Sequence, residues 1–201
     1  MVDQMNMLIG LSGKMGTGKN YIAEKVLPLV LSKFIHNAQY YYMAFGDQIK
    51  VELGCRRPEL TYDMLFEKKT RDVRQLLQQY GTENGRGVYG ENIWINSLNM
   101  WMEIHKSRTS NTNNIFVVTD VRFKNEADWI EANNGILLRI NAPSRNHERI
   151  QQEESHEIQN HISETDLDNY KFKYIVTNDK DDDPHKQITN IMCSIYQRKT
   201  N

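Results

Sequence analysis

Met7-Leu8-Ile9-Gly10-Leu11-Ser12-Gly13-Lys14-Met15-Gly16-Thr17-Gly18-Lys19-Asn20 is the stretch that decides how this chain folds. Residues 7–11 form an apolar run short enough for a buried strand, and Ser12-Gly13 turns it into a loop. From Gly13 to Lys19 the loop matches G-x-x-x-x-G-K. Residues 19–34 then place Ile22, Ala23, Val26, Leu29 and Val30 at helical spacing, with Pro28 predicting a kink or an early end. Glycines let such a loop curl until successive N–H groups point inward. The following helix adds about half a positive charge at its N-terminus, and Lys19 adds a full one. That combination holds phosphate oxygens, so residues 13–20 are the expected nucleoside triphosphate site. Asn20 stands where a Mg²⁺-ligating hydroxyl is usual; its amide oxygen can ligate the ion or hold it through water. A glycine-rich turn that binds nothing is the competing reading, and the order of strand, loop, lysine and helix argues against it.

Outward from this stretch, short apolar runs alternate with helical spacing. Residues 40–45, 115–119, 136–140 and 172–177 read as strands, and 46–54, 62–80, 123–133 and 184–196 as helices, with Gly135 as a C-cap. Strands alternating with helices predict an α/β fold: a parallel sheet with helices on both faces. The polar stretch 141–168, short of core residues, is the expected mobile lid. One domain spanning 1–201 is expected, with an acceptor region at about 46–105.

Composition narrows the classes. At 201 residues, 39% hydrophobic and 25% charged, the chain has enough apolar surface for a core. A net charge of −1 shows no bias toward nucleic acid or membrane, and no apolar run approaches a membrane span. Two cysteines, Cys55 and Cys193, are too few for a disulfide framework or a zinc cage. With no cationic segment ahead of Leu8, a cytoplasmic protein is expected. His147, His156 and His161 match no common zinc spacing, and Tyr40-Tyr41-Tyr42 lacks the interleaved cations of a nucleic-acid surface. Small-molecule nucleotides are the expected partners; a homodimer stays open.

Two further groups carry chemistry. Asp120 follows the apolar run 115–119, and ligands of open α/β sheets sit at the carboxyl ends of strands. A carboxylate there can hold Mg²⁺ or its water shell, and Arg122 can reach the same crevice. The bland alternative is that Asp120 caps the following helix. On the helix predicted over 62–80, Arg71, Arg74 and Gln78 share a polar face, and Arg86 follows after Gly81-Thr82. Guanidinium forks suit a phosphate monoester; spacing alone equally allows a solvated face.

At these residues the chain resembles a family. Arg74-Gln75-Leu76-Leu77-Gln78-Gln79-Tyr80-Gly81-Thr82-Glu83-Asn84-Gly85-Arg86, followed by Trp94-Ile95-Asn96, resembles the R-x-L-L-Q-x-x-G-T-E-x-x-R…W-[VI]-[NK] block of viral deoxynucleoside monophosphate kinases. Thr119-Asp120-Val121-Arg122-Phe123-Lys124-Asn125-Glu126-Ala127 resembles their D-V-R-F-x-N-E-A block, and His161-Ile162-Ser163-Glu164 with Leu167-Asp168 their H-x-S-E…L-D segment. In that family the phosphate loop often carries Asp after its lysine, where this chain has Asn20. The resemblance implies a P-loop nucleoside monophosphate kinase fold with about five parallel strands. It implies ATP with Mg²⁺, the nucleotide held by Gly13, Lys14, Met15, Gly16, Thr17, Gly18, Lys19 and Asn20, and the metal by Asn20 and Asp120. Lys19, Asp120 and Arg122 would act on the transferred group. Lys50, Arg71, Arg74, Gln78 and Arg86 would face the acceptor, Trp94 could stack on its base, and Arg145 and Arg149 would be lid arginines. Phosphomevalonate kinases of the animal type share a similar layout, so a kinase of another small phosphate ester is one alternative. A nucleotide-binding module without transfer activity is another.

Overall fold

The structure, a computed structural model, describes residues 5–109, 112–145 and 161–200. Five parallel strands form one sheet: β1 (Asn6–Ser12), β2 (Ala38–Met43), β3 (Asn113–Val121), β4 (Ile136–Asn141) and β5 (Tyr174–Thr177). Their order is β2-β3-β1-β4-β5. The central strands are apolar on both sides because both sides are covered. Ile9, Leu11, Ile115, Val117, Leu138 and Ile140 face one helical layer, where Ile22, Ala23, Val26, Leu27 and Val30 of α1 (19–31) and Ile188 and Met192 of α7 (Pro184–Thr200) pack. The alternate residues Leu8, Phe116, Val118 and Leu137 face the other layer, built from Trp94, Ile95, Leu98 and Met102 of α4 (Ile93–Arg108) and Ala127 and Ile130 of α5 (Lys124–Ala132). This two-sided burial is the period-2 alternation of a strand read against two apolar neighbours.

The order of strands creates a crevice. The chain leaves β1 toward β2 on the far side of β3, whereas β3 continues to β4 on the opposite side of β1. At such a reversal the carboxyl ends of adjacent strands open into a cleft. Ser12 at the end of β1 pairs with Val121 at the end of β3, so the glycine loop and Asp120 are neighbours.

Several local differences from the sequence expectations have physical causes. Pro28 does not end α1. A wider turn over Ile22–Val26, with the Leu27 N–H bonded to the Ile22 carbonyl, admits the ring and the missing donor. The helix expected over 62–80 is broken. A turn spans Asp63–Glu67, Lys68 leaves helical geometry, and Thr70 caps α3 (Arg71–Gln79) by accepting from the Val73 N–H at 3.4 Å. Helical turns continue from α3 to Tyr89. β2 ends at Met43, and Phe45 already belongs to α2 (Phe45–Arg56). The left-handed residue after α5 is Asn134, φ 56°, not Gly135, whose N–H bonds the Ile130 carbonyl at 2.9 Å. Of the expected lid, residues 146–160 lie outside the described residues. Residues 162–165 form a short helix, α6 (Ile162–Thr165), after which Leu167 joins the core.

Candidate active site

The loop after β1 takes its shape from glycine. Gly16 and Gly18 have φ of 80° and 85°, the left-handed region that other residues avoid. At Gly18 space is short as well: a Cβ would stand 2.4 Å from the Asn178 amide nitrogen. That nitrogen donates to the Thr17 carbonyl at 2.9 Å, and the Arg145 guanidinium donates to the same carbonyl at 3.3 Å. The buried Thr17 hydroxyl donates to the Lys14 carbonyl at 3.0 Å. The end of β5 thus braces the loop from behind. Lys19 Nζ donates to the carbonyls of Gly13 and Lys14 at 2.7 and 3.0 Å, crossing the loop it belongs to.

Met15, Gly16, Gly18, Lys19 and Asn20 form one wall of a cleft of about 810 Å³, within the usual range for small-molecule sites. Asp120, the penultimate residue of β3, lines the cleft as well. The Asp120 carboxylate accepts from the Phe45 and Gly46 N–H groups at 2.7 and 2.9 Å. It therefore caps a helix, but α2 rather than the α5 expected from sequence adjacency. Burial raises the Asp120 carboxyl above its ordinary pKa, opposed by Arg122 and the Gly46 N–H. The helix after β3 is capped by Glu126, which accepts from the Arg122 and Phe123 N–H groups at 2.8 and 3.1 Å. Glu126 lies on the cleft yet is only 2% exposed. Burial, with the charge of Asp120 second, pushes its carboxyl up to about 8.

The structure separates the expected acceptor residues. Lys50, Arg74, Gln78, Trp94 and Arg122 line the same cleft as the loop. Arg74 reaches the loop itself, donating to Met15 Sδ at 2.9 Å. Lys50 pairs with Asp47 at 2.7 Å and lies over the Phe66 ring. The Trp94 indole N–H donates to the Gly81 carbonyl at 2.8 Å, and its ring lies so close to Gly85 that a Cβ there would clash. Two expected residues are not among those lining the cleft. Arg71, the first residue of α3, is exposed. Arg86 bonds Asn125 at 2.8 Å, contacts Glu126 at 3.5 Å and stacks on Phe123 at 3.9 Å, tying the end of the α3 segment to α5. Gly13, Lys14, Thr17 and Arg145 stand behind the lining, and Arg149 lies outside the described residues.

Glu164 and Asp168 are functional neighbours that spacing analysis passes over. The Glu164 carboxylate pairs with Arg122, its carbonyl accepts from Lys14 Nζ, and Asp168 pairs with Lys14. Their only sequence signal is the H-x-S-E…L-D resemblance. Among the described residues no group of three or more His, Cys, Asp or Glu could hold a metal by itself, and no helix is long and apolar enough to cross a membrane.

A curled glycine loop with its lysine at the carboxyl end of a central parallel strand, in a cleft lined by further cations, defines a P-loop phosphotransferase. The comparisons narrow the class. Over 155 residues the chain is 30% identical to the "Putative deoxynucleotide monophosphate kinase" of Acanthamoeba polyphaga mimivirus, covering 68% of this chain and 75% of that protein. The chain belongs to this viral deoxynucleotide monophosphate kinase family of P-loop kinases. No protein-family model matches it. Among solved structures, an unliganded sugar kinase from Janibacter sp. HTCC2649 aligns with TM-score 0.43 and 15% identity, covering 94% of this chain and 93% of that one. Shikimate kinase from Aquifex aeolicus aligns with TM-score 0.43 and 18% identity, covering 97% and 99%.

Proposed function

We propose that this kinase transfers the γ-phosphoryl group of ATP to a (deoxy)nucleoside 5′-monophosphate, giving ADP and the diphosphate. One observation carries the reading. The glycine loop and Lys19 line the same cleft as Lys50, Arg74, Gln78 and Arg122. An anion on each group brings two phosphates together, as transfer between nucleotides requires. The name of the mimivirus relative supports the same acceptor class.

An oxygen of the acceptor phosphate attacks the γ-phosphorus, and the bond to the β-phosphate oxygen breaks. That acceptor oxygen is already anionic, so no strong base is needed. The loop N–H groups and Lys19 hold the donor phosphates, Lys50, Arg74 and Gln78 orient the acceptor, and Arg122 neutralises charge on the moving group. Trp94 lines the cleft with its indole N–H held by the Gly81 carbonyl. Asn20 and Asp120 offer oxygen donors to this cleft. They fit Mg²⁺, which needs only one or two protein oxygens beside phosphates and water. When bound, the ion would neutralise charge on the donor phosphates.

The test is ATP turnover with Mg²⁺ against a panel of ribo- and deoxyribonucleoside monophosphates, with phosphomevalonate as a further acceptor and products separated by chromatography. A nucleoside diphosphate formed in step with ADP is the expected result. ATP consumed without any such product, or only with a non-nucleotide ester, would overturn the assignment.

A further inference from the structure

We infer that Lys69 is a phosphate-binding residue of the acceptor site, completing with Lys50 and Arg74 a three-cation cradle for a dianionic phosphate monoester. The inference rests on the acceptor class proposed above and adds a residue and a charge requirement to it.

The three cations come from three separate pieces of chain: Lys50 from α2, Lys69 from the break between the 63–67 turn and α3, and Arg74 from α3. All three line the cleft. Phe66 gathers the two lysines: Lys50 lies 4.8 Å over its ring, and Lys69 Nζ donates to its carbonyl at 2.8 Å. Arg74 extends the group to the phosphate loop through Met15. Lys69 lies in the break of the expected helix and lines the cleft, whereas Arg71, the first residue of α3, is exposed.

Charge balance on this wall calls for an anion. Two lining carboxylates act on Lys50: Asp47, whose oxygens already accept from Lys50 at 2.7 Å and the Ala44 N–H at 3.0 Å, and Asp120, whose oxygens accept from the Phe45 and Gly46 N–H groups. Glu67 acts on Lys69 too, but it is exposed and does not line the cleft. Burial first, then the charges of Lys50 and Arg74, make Lys69 easier to deprotonate than an ordinary lysine. A phosphate monoester offers two negative charges and three acceptor oxygens, the complement of three cations converging from different directions. A nucleoside without its phosphate gives these groups nothing to bind.

The experiment is calorimetric titration, without ATP, of the four deoxynucleoside 5′-monophosphates and their nucleosides into wild type, Lys69→Gln, Lys69→Ala, Lys69→Arg and Lys68→Ala. Glutamine keeps a donor for the Phe66 carbonyl and loses only the charge, so it separates a structural turn from an anion site. Lys69→Gln and Lys69→Ala are expected to weaken monophosphate binding about 10- to 100-fold. Lys69→Arg should stay within about fivefold of wild type, and Lys68→Ala within about twofold. ATP affinity, titrated separately, should move less than about threefold. Monophosphate binding by Lys69→Gln within twofold of wild type would overturn the assignment of Lys69. An equal loss for nucleosides would do the same, by assigning the residue to cleft shape. Wild type that binds no nucleoside monophosphate would instead overturn the acceptor class itself, which makes the two failures distinct.

Discussion

Glu126→Gln tests the electrostatics of the cleft. The carboxyl is 2% exposed, and burial with the nearby Asp120 charge raises it from 4.5 to about 8. An acid whose folded pKa is raised binds more protons folded than unfolded between these values. Stability from this group is therefore complete below pH 4.5 and falls as pH rises toward 8. At about 1.4 kcal/mol per unit, the loss is on the order of 5 kcal/mol across that window. Glutamine carries no proton to lose. Its carbonyl oxygen can still accept from the Arg122 and Phe123 N–H groups, which now reach Glu126 at 2.8 and 3.1 Å. Its amide nitrogen would face the Arg86 guanidinium, now 3.5 Å from the other carboxylate oxygen, costing about 1 kcal/mol at low pH. The assay is urea unfolding followed by tryptophan fluorescence at pH 5.5, 6.5, 7.5 and 8.5. Wild type should lose stability steadily over this series, and the variant should show a slope flatter by about 1 kcal/mol per pH unit. Equal slopes in the two proteins, or wild-type stability rising with pH, would refute a protonated carboxyl at this position.

Three other substitutions probe the cleft and the loop. Arg74→Ala should lower kcat/KM for the monophosphate by roughly 30- to 1,000-fold while ATP affinity changes only a few-fold; equal losses in acceptor kinetics and ATP titration would move Arg74 to the donor, a real contest given its contact with Met15. Lys19→Ala should reduce transfer at least about 100-fold and, because Lys19 bonds two loop carbonyls, also lower unfolding free energy by about 1 kcal/mol; a variant retaining over half the wild-type rate would remove the loop from catalysis. Gly18→Ala meets both the positive φ and the Asn178 amide, so denaturant unfolding should show a loss of about 2–4 kcal/mol; a change under about 0.5 kcal/mol would show that the loop relaxes freely.

How much of this was legible depends on whether a residue's role is local. The glycine loop was, because strand, turn and helix follow one another and each leaves its own pattern in the residues beside it. The sheet was, because its strands are apolar on both faces and short. Asp120 was half legible: its position at a strand end follows from the 115–119 run, but the helix it caps is 75 residues away in sequence at Phe45. Arg71 and Arg86 show where periodicity fails. Arg71, Arg74 and Gln78 share the unbroken helix α3, but only Arg74 and Gln78 line the cleft, and Arg71 is the helix's exposed first residue. Arg86 has the right charge, but Asn125, Glu126 and Phe123 engage it first. Lys69 has no periodic partner, and only the break in the chain shows where it points. Glu164 and Asp168 belong to a stretch whose polarity reads as solvent, although their carboxylates serve buried or half-buried cations.

The pairing of the cleft's cations bears on how such a site gains selectivity. Lys19 holds two loop carbonyls, Lys14 pairs with Asp168 and the Glu164 carbonyl, and Arg122 pairs with the Glu164 carboxylate. A phosphate that recruits these groups exchanges one set of charge-assisted bonds for another rather than adding new ones. Net binding is then the difference between two strong interactions, each of about 1.5–3 kcal/mol. That difference is largest for the Arg122–Glu164 pair if the incoming oxygen carries more charge than a carboxylate, as a transferring phosphoryl group does. Glu164 would therefore oppose a ground-state ligand more than a transition state, and it would hold Arg122 in place until the acceptor phosphate competes for it. The cradle of Lys50, Lys69 and Arg74 also holds partners, Asp47, the Phe66 carbonyl and Met15 Sδ, but its cations act on one another as well. Its cations crowd one another, so an anion there relieves repulsion as well as gaining attraction.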